Sequence, residues 1–95
     1  MNGTKGAKIV IDAFIHGENK KKGNCESKDS GLYLFGNQIA RYTDNFDIEI
    51  STAGYDTATT IRHLKLFPNT QVCRKKGELL LNNNAWDGDW VKIDF

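Results

Sequence analysis

A chain of 95 residues has room for a single domain. Its 39% apolar and 26% charged residues are ordinary for a globular chain, and a formal charge of +1 removes any bulk argument for nucleic acid, membrane or acidic partners. No run approaches the roughly 18 consecutive apolar residues of a membrane span.

At the N-terminus a lysine precedes an apolar run, but Asp12 interrupts it and no small-residue cleavage site follows, so a signal peptide is not expected. The segment from Lys8 to His16 is expected to form a first strand. Ile9, Ile11, Ala13 and Ile15 would share one face, with Val10, Asp12, Phe14 and His16 on the other, as in a strand covered on both sides. Residues 17–30, with Lys20, Lys21, Lys22, Cys25 and Lys28, are nearly devoid of apolar anchors and are expected to be a mobile lysine-rich loop.

Residues 31–35 and 38–42 are expected to be a hairpin turning at Gly36-Asn37, both tolerant of the left-handed region. After a turn at Asp44-Asn45, Phe46, Ile48 and Ile50 alternate with Asp47, Glu49 and Ser51, the pattern of a half-buried strand. Ala53-Gly54 breaks it. Asp56 or Thr57 can then cap a helix whose buried stripe would be Thr57, Thr60, Ile61, Leu64 and Phe67, with Thr59, Arg62 and His63 facing outward and Pro68 stopping it. A helix of about three turns is unstable alone and must pack on a sheet. Residues 71–74 and 78–81 form strands about a turn at 75–77, and 82–84 form a loop. Trp86 and Trp90 then bracket Asp87-Gly88-Asp89, and 90–94 is the last strand. The expected class is α+β: about six or seven short, mostly antiparallel strands with one principal helix near 57–67, in one domain spanning 1–95.

Reactive constellations are absent from this pattern. The two histidines, His16 and His63, have no nucleophile or acid at a telling spacing. Cys25 and Cys73 are far apart and form neither a redox nor a zinc-finger motif, as expected of free thiols in a cytoplasmic protein. Asp87-Gly88-Asp89 lacks the remaining ligands of a calcium loop. No glycine-rich phosphate loop follows a strand. Neither a catalytic residue, a metal nor a cofactor is expected.

Several segments together resemble short hypothetical proteins of bacteriophages and mobile elements: LYLFGNQIAR at 32–41, GYDTATTIRHL at 54–64, KKGELLLN at 75–82 and WDGDW at 86–90. The resemblance runs from Gly31 to Ile93. It implies a phage or mobile-element context, hence a host-cell cytoplasm, and carries no catalytic residues with it.

The leading expectation is a non-enzymatic accessory protein that binds a host or phage protein stoichiometrically, with Thr59, Arg62, His63, Trp86 and Trp90 as the interaction face. One alternative is nucleic-acid binding, if Lys20, Lys21 and Lys22 converge with Arg74, Lys75 and Lys76 and a tyrosine (Tyr33, Tyr42 or Tyr55) stacks on bases. Another is a nucleotide or small-anion site at Thr57, Thr59 and Thr60, where a helix start offers hydroxyls and N–H groups. An exposed edge strand would also support a homodimer.

Overall fold

The computed structural model describes residues 4–54 and 57–93, with side chains described from residue 6 onward. Tyr55 and Asp56, read above as a stacking group and an alternative cap, lie outside the described residues, as does Asp94 at the end of the last expected strand. The fold is α+β. Among the described residues, two helices accompany a six-stranded sheet and a separate three-stranded sheet, and every strand pair is antiparallel.

The first element corrects the expected strand at 8–16. It is a helix, α1, Thr4–Ile15. Ala7, Val10, Ile11 and Phe14 recur at i, i+3, i+4 and i+7 and are all buried, whereas Lys8, Ile9 and Asp12 are exposed. Lys8 and Asp12 sit one turn apart on that wet face, 3.8 Å from each other. The helix closes in a Schellman motif: Glu18 N–H donates to the Ala13 carbonyl (2.8 Å) and Gly17 N–H to that of Phe14 (3.0 Å), with Gly17 at a φ of +76°. Alternation and helical periodicity both fit a short run with apolar groups on all sides. The stripe and its terminal glycine favour the helix.

The expected loop at 17–30 is corrected to a hairpin of β1 (Lys20–Lys22) and β2 (Cys25–Lys28). Only two of its side chains, both small, are buried, which is why its composition hides it. Cys25 and Ser27 point into the core, and the Ser27 hydroxyl donates to the Glu18 carbonyl at 2.7 Å. A meander continues through β3 (Gly31–Leu34), β4 (Asn37–Tyr42) and β5 (Ile48–Ile50). The β3–β4 turn is Phe35-Gly36, one residue earlier than expected, with Leu34 paired to Asn37 and both turn residues at positive φ. Phe46 is corrected as well. It belongs to the Thr43–Asp47 turn, with a φ of +63° and 82% exposure, and does not share the buried face of Ile48 and Ile50.

Helix α2 spans Ala58–Leu64. Thr57, one of the two expected caps, is its N-cap, its Oγ1 accepting from Thr60 N–H at 3.3 Å. The helix stops three residues short of Phe67, although Phe67 is still buried. Next come β6 (Val72–Lys75), β7 (Glu78–Leu81) and β8 (Asn84–Ala85), forming the small sheet. Last is β9 (Val91–Ile93), which returns to pair with β5. Helix α1 packs on β1, β2 and β3 of the large sheet, and α2 lies beside α1 and β6. Phe14, Leu32, Ile39, Ile48, Ile50, Leu64 and Val72 meet in a single core, and the Phe14 ring lies 5.1 Å from that of Tyr42 and 6.0 Å from that of Phe67.

Candidate functional site

The expected outer face of α2 does not survive as a unit. Arg62 is exposed, Thr59 is half-buried, and His63 is buried, with its Nδ1–H donating to the Thr59 carbonyl at 2.7 Å. The buried stripe is Thr60, His63, Leu64 and Phe67, rotated from the expected one, and Ile61 is only half-buried. The cause is α1. A helix at the N-terminus packs beside α2, and its Gly6 lines the same hollow as His63.

What the fold builds instead is a groove between α2 and the β3–β4 turn. It consists of two hollows of about 360 and 380 Å³ that share Leu34, Phe35 and Thr59. The first also reaches Lys22, Cys25 and His63; the second reaches Asn37, Ile39, Thr57 and Thr60. Sequence residues assigned above to three separate roles are therefore brought together here: Thr57, Thr59, Thr60, His63 and Lys22. Among the described residues, no carboxylate lines either hollow.

Phe35 is the residue that the sequence reading missed. Its ring is 60% exposed, and its backbone sits at a φ of +52°, where a bulky side chain is disfavoured. The available signal was a phenylalanine directly before glycine between two strands, where a two-residue turn prefers asparagine.

The groove brings Cys25 and His63 to the same hollow, but not as a thiolate pair. Burial pushes the Cys25 thiol up from its ordinary 9.0 to about 11, so it keeps its proton at neutral pH and is a poor nucleophile. With the pKa raised in the folded state, the stability contributed by the protonated thiol is complete below pH 9 and is lost as pH rises through about 11. Cys73 is exposed. In Ellman titration of the native protein at pH 8, Cys73 is expected to react at once and Cys25 only after unfolding. Two equally fast thiols would contradict this assignment.

The helix-start hydroxyls are largely occupied. Thr57 Oγ1 is the cap and also lies 3.2 Å from Thr60 Oγ1, and Thr60 is buried. The two basic clusters lie on different sheets: Lys20–Lys22 on β1, an edge of the large sheet, and Arg74–Lys76 in the β6–β7 hairpin. Each faces a carboxylate across its strand pair, Lys21 opposite Glu26 and Lys75 opposite Glu78, while Arg74 donates to the Gly77 carbonyl at 3.3 Å.

Trp86 and Trp90 go to different partners. Trp86 is half-buried against the core, and its indole N–H donates to the Asp89 carbonyl at 2.9 Å. Trp90 lies under the Arg41 guanidinium, 3.9 Å from carbon to ring centroid, and Arg41 in turn meets Glu49 at 2.9 Å. The turn between them is fastened by the Gly88 carbonyl, which accepts from Thr52 N–H and the Ser51 hydroxyl, both at 2.9 Å.

Residues 5–95 match the family model described as Kyanoviridae Gp96 protein. No curated protein and no solved structure matches the chain.

Proposed function

We propose that this chain, which belongs to the Kyanoviridae Gp96 protein family of phage proteins, acts without catalysis by stoichiometric binding of a host or phage protein in the groove between α2 and the β3–β4 turn. One observation carries this reading. Phe35 holds a largely exposed aromatic ring beside an apolar hollow, on a left-handed backbone that costs about 1–3 kcal/mol for such a residue. The core gains little from that ring, whereas aromatic anchors beside a pocket dominate protein contacts. The protonated thiol of Cys25 also argues against nucleophilic chemistry in the groove.

The test separates stability from function at one position. Phe35→Asn installs the residue that this turn prefers and keeps the backbone N–H that donates to the Asn24 carbonyl at 2.8 Å. It is expected to stabilise the fold by about 1 kcal/mol, raising Tm by about 4–8 °C. The same variant is expected to lose the protein that co-elutes with the wild type from infected-cell lysate. Equal recovery of that protein by both, or multiple turnover of a small molecule, would overturn the proposal.

Nucleic-acid binding has weaker support, because the two basic clusters lie on different sheets and each faces a carboxylate. An anion site at Thr57, Thr59 and Thr60 has little support, because two of those hydroxyls are committed to the cap.

A further inference from the structure

Resting on the groove as a protein-binding site, we infer that a second copy of the chain docks its Thr43–Asp47 turn there. That turn carries Phe46, whose ring is 82% exposed, between Asp44 and Asp47. Its backbone is already fixed. Thr43 Oγ1 accepts from the N–H groups of Asn45 and Asp47 at 3.2 Å each, Thr43 N–H donates to the Asp47 carbonyl at 2.8 Å, and Phe46 N–H donates to the Thr43 carbonyl at 2.9 Å. A rigid aromatic anchor loses little entropy on docking.

The receiving surface is apolar with a lysine at its edge. Leu34, Phe35 and Ile39 supply apolar walls, and Thr59 supplies a hydroxyl. Lys22 stands at the first hollow, which Gly6 of α1 also lines. Lys20 and Lys21 precede it on β1. An aromatic ring flanked by two carboxylates thus meets an apolar hollow flanked by lysine. Asp44 is exposed, and the half-buried Asp47 meets Lys92 at 3.8 Å near the surface, so both are within reach of a lysine on a second copy.

Position excludes self-occupancy. The groove lies at the Phe35 end of β4 and the turn at its other end, a six-residue strand of about 20 Å apart. The contact joins two unlike surfaces, so copies either pair by reciprocal exchange of their turns or link into a ring or an open chain.

Sedimentation of the full chain from about 10 µM to 1 mM tests this, with an average mass that rises with concentration expected. Phe46→Ser removes the anchor and keeps the groove; the double variant Phe35→Asn, Lys22→Glu removes the groove and keeps the anchor. Each alone is expected to be monomeric, and an equimolar mixture is expected to form a one-to-one dimer and nothing larger. A monomeric wild type, unchanged association of Phe46→Ser, or a mixture that does not pair would overturn the inference. Such a failure leaves the groove reading standing if Phe46→Ser still captures the lysate protein that Phe35→Asn loses. Equal capture by Phe35→Asn overturns the groove reading itself.

Discussion

Phe14→Ala is expected to destabilise the fold by about 3–5 kcal/mol, the cost of emptying a fully buried aromatic site that cannot collapse completely. The ring contributes to two aromatic contacts, with Tyr42 and Phe67, and so couples α1 both to the sheet and to the segment after α2. A domain of this size holds about 5–15 kcal/mol in all, so the loss takes a large share. Urea denaturation checks it through the midpoint. Ile9→Ala, on the exposed side of the same helix, is the comparison and is expected to shift the midpoint far less. In a strand, residues 9 and 11 would share a face and residue 14 would lie opposite. A larger loss at Ile9 than at Phe14 would therefore contradict the helix.

Gly88→Ala carries the second large effect, about 2–4 kcal/mol. Its backbone is at a φ of +85°, where a Cβ is strained, and that Cβ would stand 2.5 Å from Thr52 Oγ1 and 3.3 Å from Thr52 Cγ2. Relief of the clash means moving the turn away from β5, which breaks the hydrogen bonds that the Gly88 carbonyl accepts from Ser51 and Thr52. Thr52→Ala in the same chain removes both contacting atoms and leaves the backbone strain. The double variant is expected to recover about 1 kcal/mol relative to the sum of the singles. Tryptophan fluorescence should shift in Gly88→Ala, since the turn positions Trp90 beneath Arg41. Strict additivity with unchanged emission would show that the turn is not held in this way.

Much of the meander was legible because hairpins leave local marks. Alternation at Ile48 and Ile50, glycine at 36 and 77, and the strands expected at 71–74 (found at 72–75) and 78–81 all depend on residues close in sequence. The Thr57 cap was legible for the same reason: its oxygen reaches an N–H three residues on. The hairpin of β1 and β2 was not, because Cys25 and Ser27 give no apolar alternation, and their burial depends on α1 lying above them.

The groove was legible only in fragments. Thr59 and Thr60 stood out as hydroxyls at a helix start, and Lys22 as part of a charge run. Nothing local joined them to Phe35. His63 was placed outward because the helix stripe was counted against a sheet alone. The missing neighbour, α1, was hidden by an apolar run that satisfies both periods until Gly17 is taken as its cap.

By itself the sequence determined the α+β class, the antiparallel meander, a helix cap at Asp56 or Thr57 and the resemblance to phage proteins, since each depends on local contacts or patterns. Tertiary structure alone decided that α1 is a helix packed beside α2, that His63 is buried, and that Phe35, Thr59 and Lys22 border one groove. Those outcomes depend on segments tens of residues apart competing to cover the same sheet face, and a side chain's environment is set by whichever segment wins.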